Sequence, residues 1–309
     1  MQELMNTLGT VHAFPNFNVE RDIADIRTAL ERKDVHSLVR ILTNRSNDQR
    51  QKLNTAYQNL TQKDLKAGLR KVLSGNLEFL MLSLMMPPEQ FEAYRLRQAM
   101  EGLGTDEETL LEILCTRTAQ QLSNITATYN KEFKRNLEKD LVSDTSGDFS
   151  RLLVALLKKE CQPALLEQDV KALSEELNGK KADAWIRILT TRDPLHLRNV
   201  LIYLEAEKGQ SASEIIEKHF GGIFSGDFRL GLETLVRCIE NSDLYLAQRI
   251  RTMKWPVVQG VMVSHSEEDL VAVRVAYKQE AGTSLYTALQ KQFTGELQYA
   301  LLAICRAED

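Results

Sequence analysis

An all-α fold is predicted, made of four repeats of about 70 residues, each a five-helix bundle. Apolar residues recur at helical spacing along the chain, Leu, Ala, Gln, Glu and Lys dominate, and no stretch alternates as a strand would. A motif returns four times at a period of 72 to 75 residues: Leu38-Val-Arg-Ile-Leu-Thr-Asn-Arg45, Leu110-Leu-Glu-Ile-Leu-Cys-Thr-Arg117, Trp185-Ile-Arg-Ile-Leu-Thr-Thr-Arg192 and Gln259-Gly-Val-Met-Val-Ser-His265. A second echo closes each unit: Ser74-Gly-Asn, Ser146-Gly-Asp, Ser225-Gly-Asp and Thr294-Gly-Glu.

The elements follow in order. Residues 1–15 form a short head, in which Leu4, Met5 and Leu8 have helical spacing. Residues 16–86, 87–159, 160–241 and 242–309 are the four repeats, with Pro87-Pro88 and Lys158 to Pro163 as short linkers. A helix-capping residue follows each first motif: Ser46, Thr118, Asp193 and Ser266, with Gln49 and Gln121 completing capping boxes. Tyr57, Tyr129 and Tyr277 stand twelve positions past the Arg or His, and Tyr203 falls one place early. In the second repeat, five helices are expected over Phe91 to Met100, Asp106 to Cys115, Thr118 to Tyr129, Lys134 to Val142 and Asp148 to Leu157. Each is too short to be stable alone, so they must pack together.

At 309 residues with 43% hydrophobic and 27% charged content, the chain falls in the soluble globular class and can bury a large core. No apolar run approaches the ~20 residues of a membrane span. Met1 to Asn16 lacks a secretory pattern, so a cytoplasmic protein is expected. A net charge of −4 argues against bulk attraction to nucleic acid or an anionic bilayer, so contact with an acidic surface needs a bridging cation or a local basic patch. Cys115, Cys161, Cys238 and Cys305 lack zinc spacing and are expected to be buried reduced thiols.

One stretch stands out for chemistry: Met100-Glu-Gly-Leu-Gly-Thr105-Asp-Glu107, answered forty residues beyond Gly104 by Asp144. Two glycines spaced by one residue let successive carbonyls converge, and a distant carboxylate closes a ring around a hard cation. Glu107 stands where a dinucleotide loop needs its third glycine, and a helical pattern precedes the loop, which excludes that reading. A calcium ion held by the Met100, Gly102 and Gly104 carbonyls and Asp144 would keep positions open for water or a lipid phosphate oxygen.

Four helical repeats with this glycine loop, the Ile-Leu-x-x-Arg helix end and the Ser-Gly-Asp element resemble the annexins over essentially the whole chain from Asn16 to Asp309. Asn16-Phe-Asn-Val-Glu-Arg-Asp22, Leu42-Thr-Asn-Arg-Ser-Asn47 and Leu73-Ser-Gly75 look most like annexin-two-like and annexin-nine-like members. The resemblance implies a curved disc whose convex face binds acidic phospholipid membranes through Ca2+. It also implies peripheral membrane association, a head that recognises a protein partner, and a weaker calcium position at Thr105 and Glu107. A monomer in solution is expected.

Three repeats depart from the pattern. The first has Leu30-Glu-Arg-Lys-Asp-Val35 without glycine, and Val72 at the acid position. The third has Leu177-Asn-Gly-Lys-Lys181 with Ile223 as the acid equivalent, and the fourth has Trp255-Pro256 with Gln292. None of these side chains replaces a bidentate carboxylate, so those sites are expected to be dead and calcium dependence attenuated. Trp255 either reaches the interfacial zone or fills the gap left by a shortened loop. Lys180 and Lys181 either meet lipid phosphates or form a solvated turn.

Cys238 and Cys305 hold matching positions in their repeats, which makes them a candidate pair. His12, His36, His196, His219 and His265 are scattered with no nucleophile and base together, so no enzyme is expected. The competing class is a calcium-independent helical scaffold for protein partners.

Overall fold

The computed structural model describes residues 8–179, 181–222 and 226–306. Among the described residues it contains nineteen α-helices and no strand. The chain runs through α1 (Val19–Arg32), α2 (Val35–Thr43), α3 (Asn47–Thr61), α4 (Leu65–Val72) and α5 (Gly75–Leu84). It continues through α6 (Pro88–Ala99), α7 (Glu107–Thr116), α8 (Ala119–Phe133), α9 (Leu137–Asp144) and α10 (Gly147–Lys158). Next come α11 (Leu166–Gly179), α12 (Asp183–Thr191), α13 (Pro194–Lys208) and α14 (Ala212–Phe220). Last are α15 (Gly226–Ile250), α16 (Trp255–Ser264), α17 (Leu270–Ala281), α18 (Leu285–Gln292) and α19 (Gly295–Cys305). The α15 span breaks at Asn241 (φ −161°, ψ 98°), whose side chain accepts from the Leu244 amide at 2.9 Å and restarts the helix.

The repeated arginine has a structural role. Arg45 donates through Nε and Nη2 to both oxygens of Asp22 on α1, at 2.6 and 2.8 Å, and Arg192 grips Asp169 on α11 likewise at 2.7 and 3.0 Å. Arg117 reaches Glu92 on α6 at 2.8 Å. In each case the pair is buried and ties the end of a repeat's second helix to its first. Removing one partner of such a pair leaves a bare buried charge, at a cost of about 3–5 kcal/mol. In the fourth repeat His265 meets Asp269 at 2.7 Å instead.

Residues 1–91 and 246–309 form one compact unit and residues 92–245 another. In the first, α2 packs on α1, α5 and α19, and α16 on α5, around Leu38, Leu42, Leu80, Met262 and Leu301. Its start is pinned: the Thr10 and Val11 amides both donate to the Ser266 carbonyl at 2.8 Å, and Gln49 closes on the Phe14 backbone at both its amide and carbonyl. In the second, α10 packs against α7, α8, α9 and α12 and α11 against α12 and α13, around Leu110, Leu114, Leu152 and fully buried Trp185. There Arg95 is clamped between Glu92 (3.1 Å) and Glu112 (2.6 Å); burial pulls its basicity down, but the two carboxylates more than offset this.

Several expectations need correction. The second repeat's fourth helix starts at Leu137, not Lys134, because Lys134 is left-handed (φ 54°) and Asn136 caps the Lys139 amide. Its third helix runs four residues past Tyr129. Ser46, Thr118 and Asp193 cap as expected, but Ser266 donates back to the Val263 carbonyl and precedes a turn, leaving α17 to start at Leu270. Tyr203 is exposed, and Leu204 takes the buried place that Tyr57, Tyr129 and Tyr277 fill elsewhere. Cys161 is exposed rather than buried. All four cysteines are free, so Cys238 and Cys305 are not bonded. Cys238 lies against Cys115, and that thiol hydrogen bond together with burial raises it well above the usual thiol range. Leu4, Met5, Lys180, Ile223 and Ser225 lie outside the described residues, while Leu8 sits in an exposed bend.

Candidate functional site

Helix α6 ends at Ala99 because the next two glycines turn left-handed, Gly102 at φ 98° and Gly104 at φ 91°. A side chain would strain the backbone there, although a Cβ at either position would meet nothing within 4 Å. The Asp106 amide returns to the Ala99 carbonyl at 2.8 Å and closes the loop. Asp106 then caps α7 by accepting from the Thr109 amide at 3.0 Å. Met100 is buried under the loop, and Leu103 at its tip is fully exposed.

Asp144 is the last residue of α9, and the fold brings it to this loop. Thr105 Oγ1 donates to Asp144 Oδ2 at 2.6 Å, which orients the carboxylate; Oδ1 makes no hydrogen bond among the described residues. Glu107, the first residue of α7, is held above the ordinary carboxyl range by burial, against a backbone hydrogen bond, and then by the charges of Asp227, Asp106 and Asp144. The approach of Asp227 was not legible in the sequence, since it comes from the Ser-Gly-Asp element of the third repeat. Among the described residues no three His, Cys, Asp or Glu side chains have metal-binding geometry together. A cation here would depend on main-chain oxygens plus Asp144, a donor set that suits calcium and not zinc.

The corresponding places elsewhere differ. Between α1 and α2 there are only Lys33, left-handed at φ 55°, and Asp34, which caps α2. Gly179 ends α11 without positive φ, and Lys181 is exposed. In the fourth repeat Trp255 and Pro256 already belong to α16, and the half-buried Trp255 ring packs edge-on against Phe293 at 6.0 Å. Three histidines have structural partners: His196 meets Asp169 at 2.9 Å, His265 meets Asp269, and His36 stacks on Tyr299 at 4.3 Å.

Comparisons with known proteins agree with this architecture. The family model described as Annexin matches residues 21–84, 91–156 and 256–304. Annexin A9 of Mus musculus is 36% identical, over 98% of this chain and 91% of that protein, which meets the expected likeness to annexin-nine-like members. The solved structure of annexin III superposes with a TM-score of 0.92 at 32% identity, covering 97% of this chain and 98% of that one. Chicken annexin V gives 0.88 at 34% identity, covering 97% and 99%.

Proposed function

The chain belongs to the annexin family, and on that premise we propose that its second repeat makes a calcium-bridged contact with acidic phospholipid. Annexins generally bind such membranes in a calcium-dependent way and are generally not enzymes. The carbonyls of Met100, Gly102 and Gly104 and the carboxylate of Asp144 are the ligands in this reading. Calcium supplies a hard double charge that oxygen atoms of the protein and of a lipid phosphate can share.

The observation that carries the proposal is the joining of loop and carboxylate, with Thr105 holding Asp144 Oδ2 at 2.6 Å and Oδ1 left over. The fully exposed Leu103 supports the same orientation, since an apolar tip beside a lipid-bound ion enters the interfacial zone favourably. The acidic group of Asp106, Glu107, Asp144 and Asp227 supplies repulsion that a bound cation relieves. Thr105 thus orients Asp144, and Glu107 is the better candidate for a weaker neighbouring position.

The first repeat's two-residue turn, the straight end of α11 and the helical Trp255-Pro256 support loss of the other three sites. One ion site gives none of the avidity of several, so membrane binding demands more calcium than a four-site relative. No described helix is long and apolar enough to cross a membrane, in keeping with peripheral attachment. The head stays a candidate for partner recognition: residues 10 and 11 are tied to Ser266, and Leu4 and Met5 lie outside the described residues.

Co-sedimentation with phosphatidylserine vesicles tests the proposal. Binding is expected with calcium and absent in chelator. Asp144→Ala should raise the calcium required by at least the ~10–100-fold that even an outer-shell change costs. Equal pelleting in chelator, or an Asp144→Ala variant that behaves like the parent, sinks it.

A further inference from the structure

In the second repeat a carboxylate, Asp140 on α9, is enclosed by three donors. Arg135 grips both its oxygens at 2.7 and 2.8 Å, the Tyr129 hydroxyl donates to it at 2.7 Å, and Arg97 stands 3.9 Å away. The first repeat keeps the donors and lacks the acceptor. Aligned on the motif arginines and the paired Asp22 and Glu92, Tyr57 matches Tyr129, Lys63 matches Arg135 and Arg27 matches Arg97, but Gly68 stands in place of Asp140.

The consequence is a cavity of about 470 Å³ lined by Arg27, Glu31, Tyr57, Lys63, Gly68 and Lys71, among others. Tyr57 is only 7% exposed, and its hydroxyl lies 3.9 Å from where a Cβ on residue 68 would sit. That hydroxyl makes no hydrogen bond among the described residues, and Arg27, Lys63, Lys71 and Glu31 make no ion pair there. A phenol hydroxyl open to the cavity and exposed cations without an ion pair, facing a deleted carboxylate, form a ready anion site.

We propose that this cavity of the first repeat binds a phosphate monoester without calcium. Charge selects the class. Lys71 stands where the second repeat has Ser143, so three cations face one carboxylate, Glu31, and the net charge of two suits a dianion better than a single carboxylate. Leu60 and Val72 on the rim give an esterified ligand apolar contact. The monoester is supplied either by a lipid headgroup or by a soluble phosphorylated molecule.

The test uses the full chain in chelator, so it is independent of the calcium loop. Phosphatidylcholine vesicles containing phosphatidic acid probe the lipid source, phosphatidylserine vesicles serve as the phosphodiester control, and glycerol 3-phosphate in calorimetry probes the soluble source. Gly68→Asp restores the internal carboxylate and Lys63→Gln removes an exposed cation, with thermal melting to confirm folding. Each is expected to weaken binding about tenfold or more. Loss in the vesicle arm alone assigns a lipid headgroup, and loss in the calorimetric arm as well assigns the monoester from either source. Should Gly68→Asp fail to fold, Lys63→Gln and Lys71→Gln decide. No binding by the parent in either arm, equal binding to phosphatidylserine, or binding indifferent to the folded variants overturns the proposal.

Discussion

The first and second repeats share the same helix order and the Ile-Leu-x-x-Arg motif, yet they end their first helices differently. In the second, two extra residues and two left-handed glycines hold the loop from Met100 to Asp106 open before α7 begins. In the first, Lys33 alone turns the chain and Asp34 caps α2 at once. The opposing residues changed along with the loops: Asp144 and Asp140 line α9, where Val72 and Gly68 line α4. Loss of acidity on α4 and loss of loop length on α1 thus go together, and the same edge of the repeat passes from an arrangement that suits a cation to one that suits an anion.

That contrast is broken most directly by grafting. Replacing residues 30–34 with a copy of residues 100–106, together with Val72→Asp, should create a second calcium loop. A working second site should double the calcium bound in calorimetry, and the calcium needed to pellet with phosphatidylserine vesicles should fall by up to ~100-fold. No change would mean that loop length and one acid are insufficient.

A smaller effect sharpens the second repeat's side of the comparison. Thr105→Val removes the donor that orients Asp144 while leaving every proposed ligand in place. It should cost ~10-fold in calcium affinity by calorimetry, with the melting temperature nearly unchanged.

The smallest effect concerns acid. Arg135, opposed by burial and aided by Tyr129 and Arg97, holds Asp140 below the ordinary value of 3.8. A carboxylate lowered on folding stabilises fully above its unfolded value, and that contribution is lost as pH falls through the folded one. Hydrogen-exchange protection, corrected for the intrinsic rate at each pH, should therefore fall in α8 and α9 below about pH 3.8, while α3 and α4, which have Gly68, show no matching loss. Equal loss of protection in both would mean that the Asp140 cluster carries no such weight.

The fold was legible because its signals are local and repeated. Leucine spacing, the Ser46 and Thr118 capping boxes and the recurring arginine each act within a few turns. The arginine's partner was hidden, since Asp22, Glu92 and Asp169 lie more than twenty residues upstream and the partner changes between Asp and Glu from repeat to repeat. Ser266 failed as a cap because its hydroxyl turns back to the Val263 carbonyl and a turn delays α17 to Leu270, a local detour that propensity cannot show. The glycine loop could be read from its spacing, whereas Asp227 near Glu107 and the cavity beside Gly68 needed the packing of neighbouring helices. Tyr203 misled because one residue of shift on a helix moves a ring from core to solvent, and Leu204 took the inner position.

One of the two compact units is assembled from both ends of the chain, residues 1–91 and 246–309, and the other is continuous over residues 92–245. During synthesis the continuous unit can complete itself while the ribosome is still at work. The segment before it must wait, because the Ser266 carbonyl that receives Thr10 and Val11, and α19 that covers α2, emerge only after the continuous unit. Truncation ahead of α19 therefore leaves the buried face of α2 uncovered.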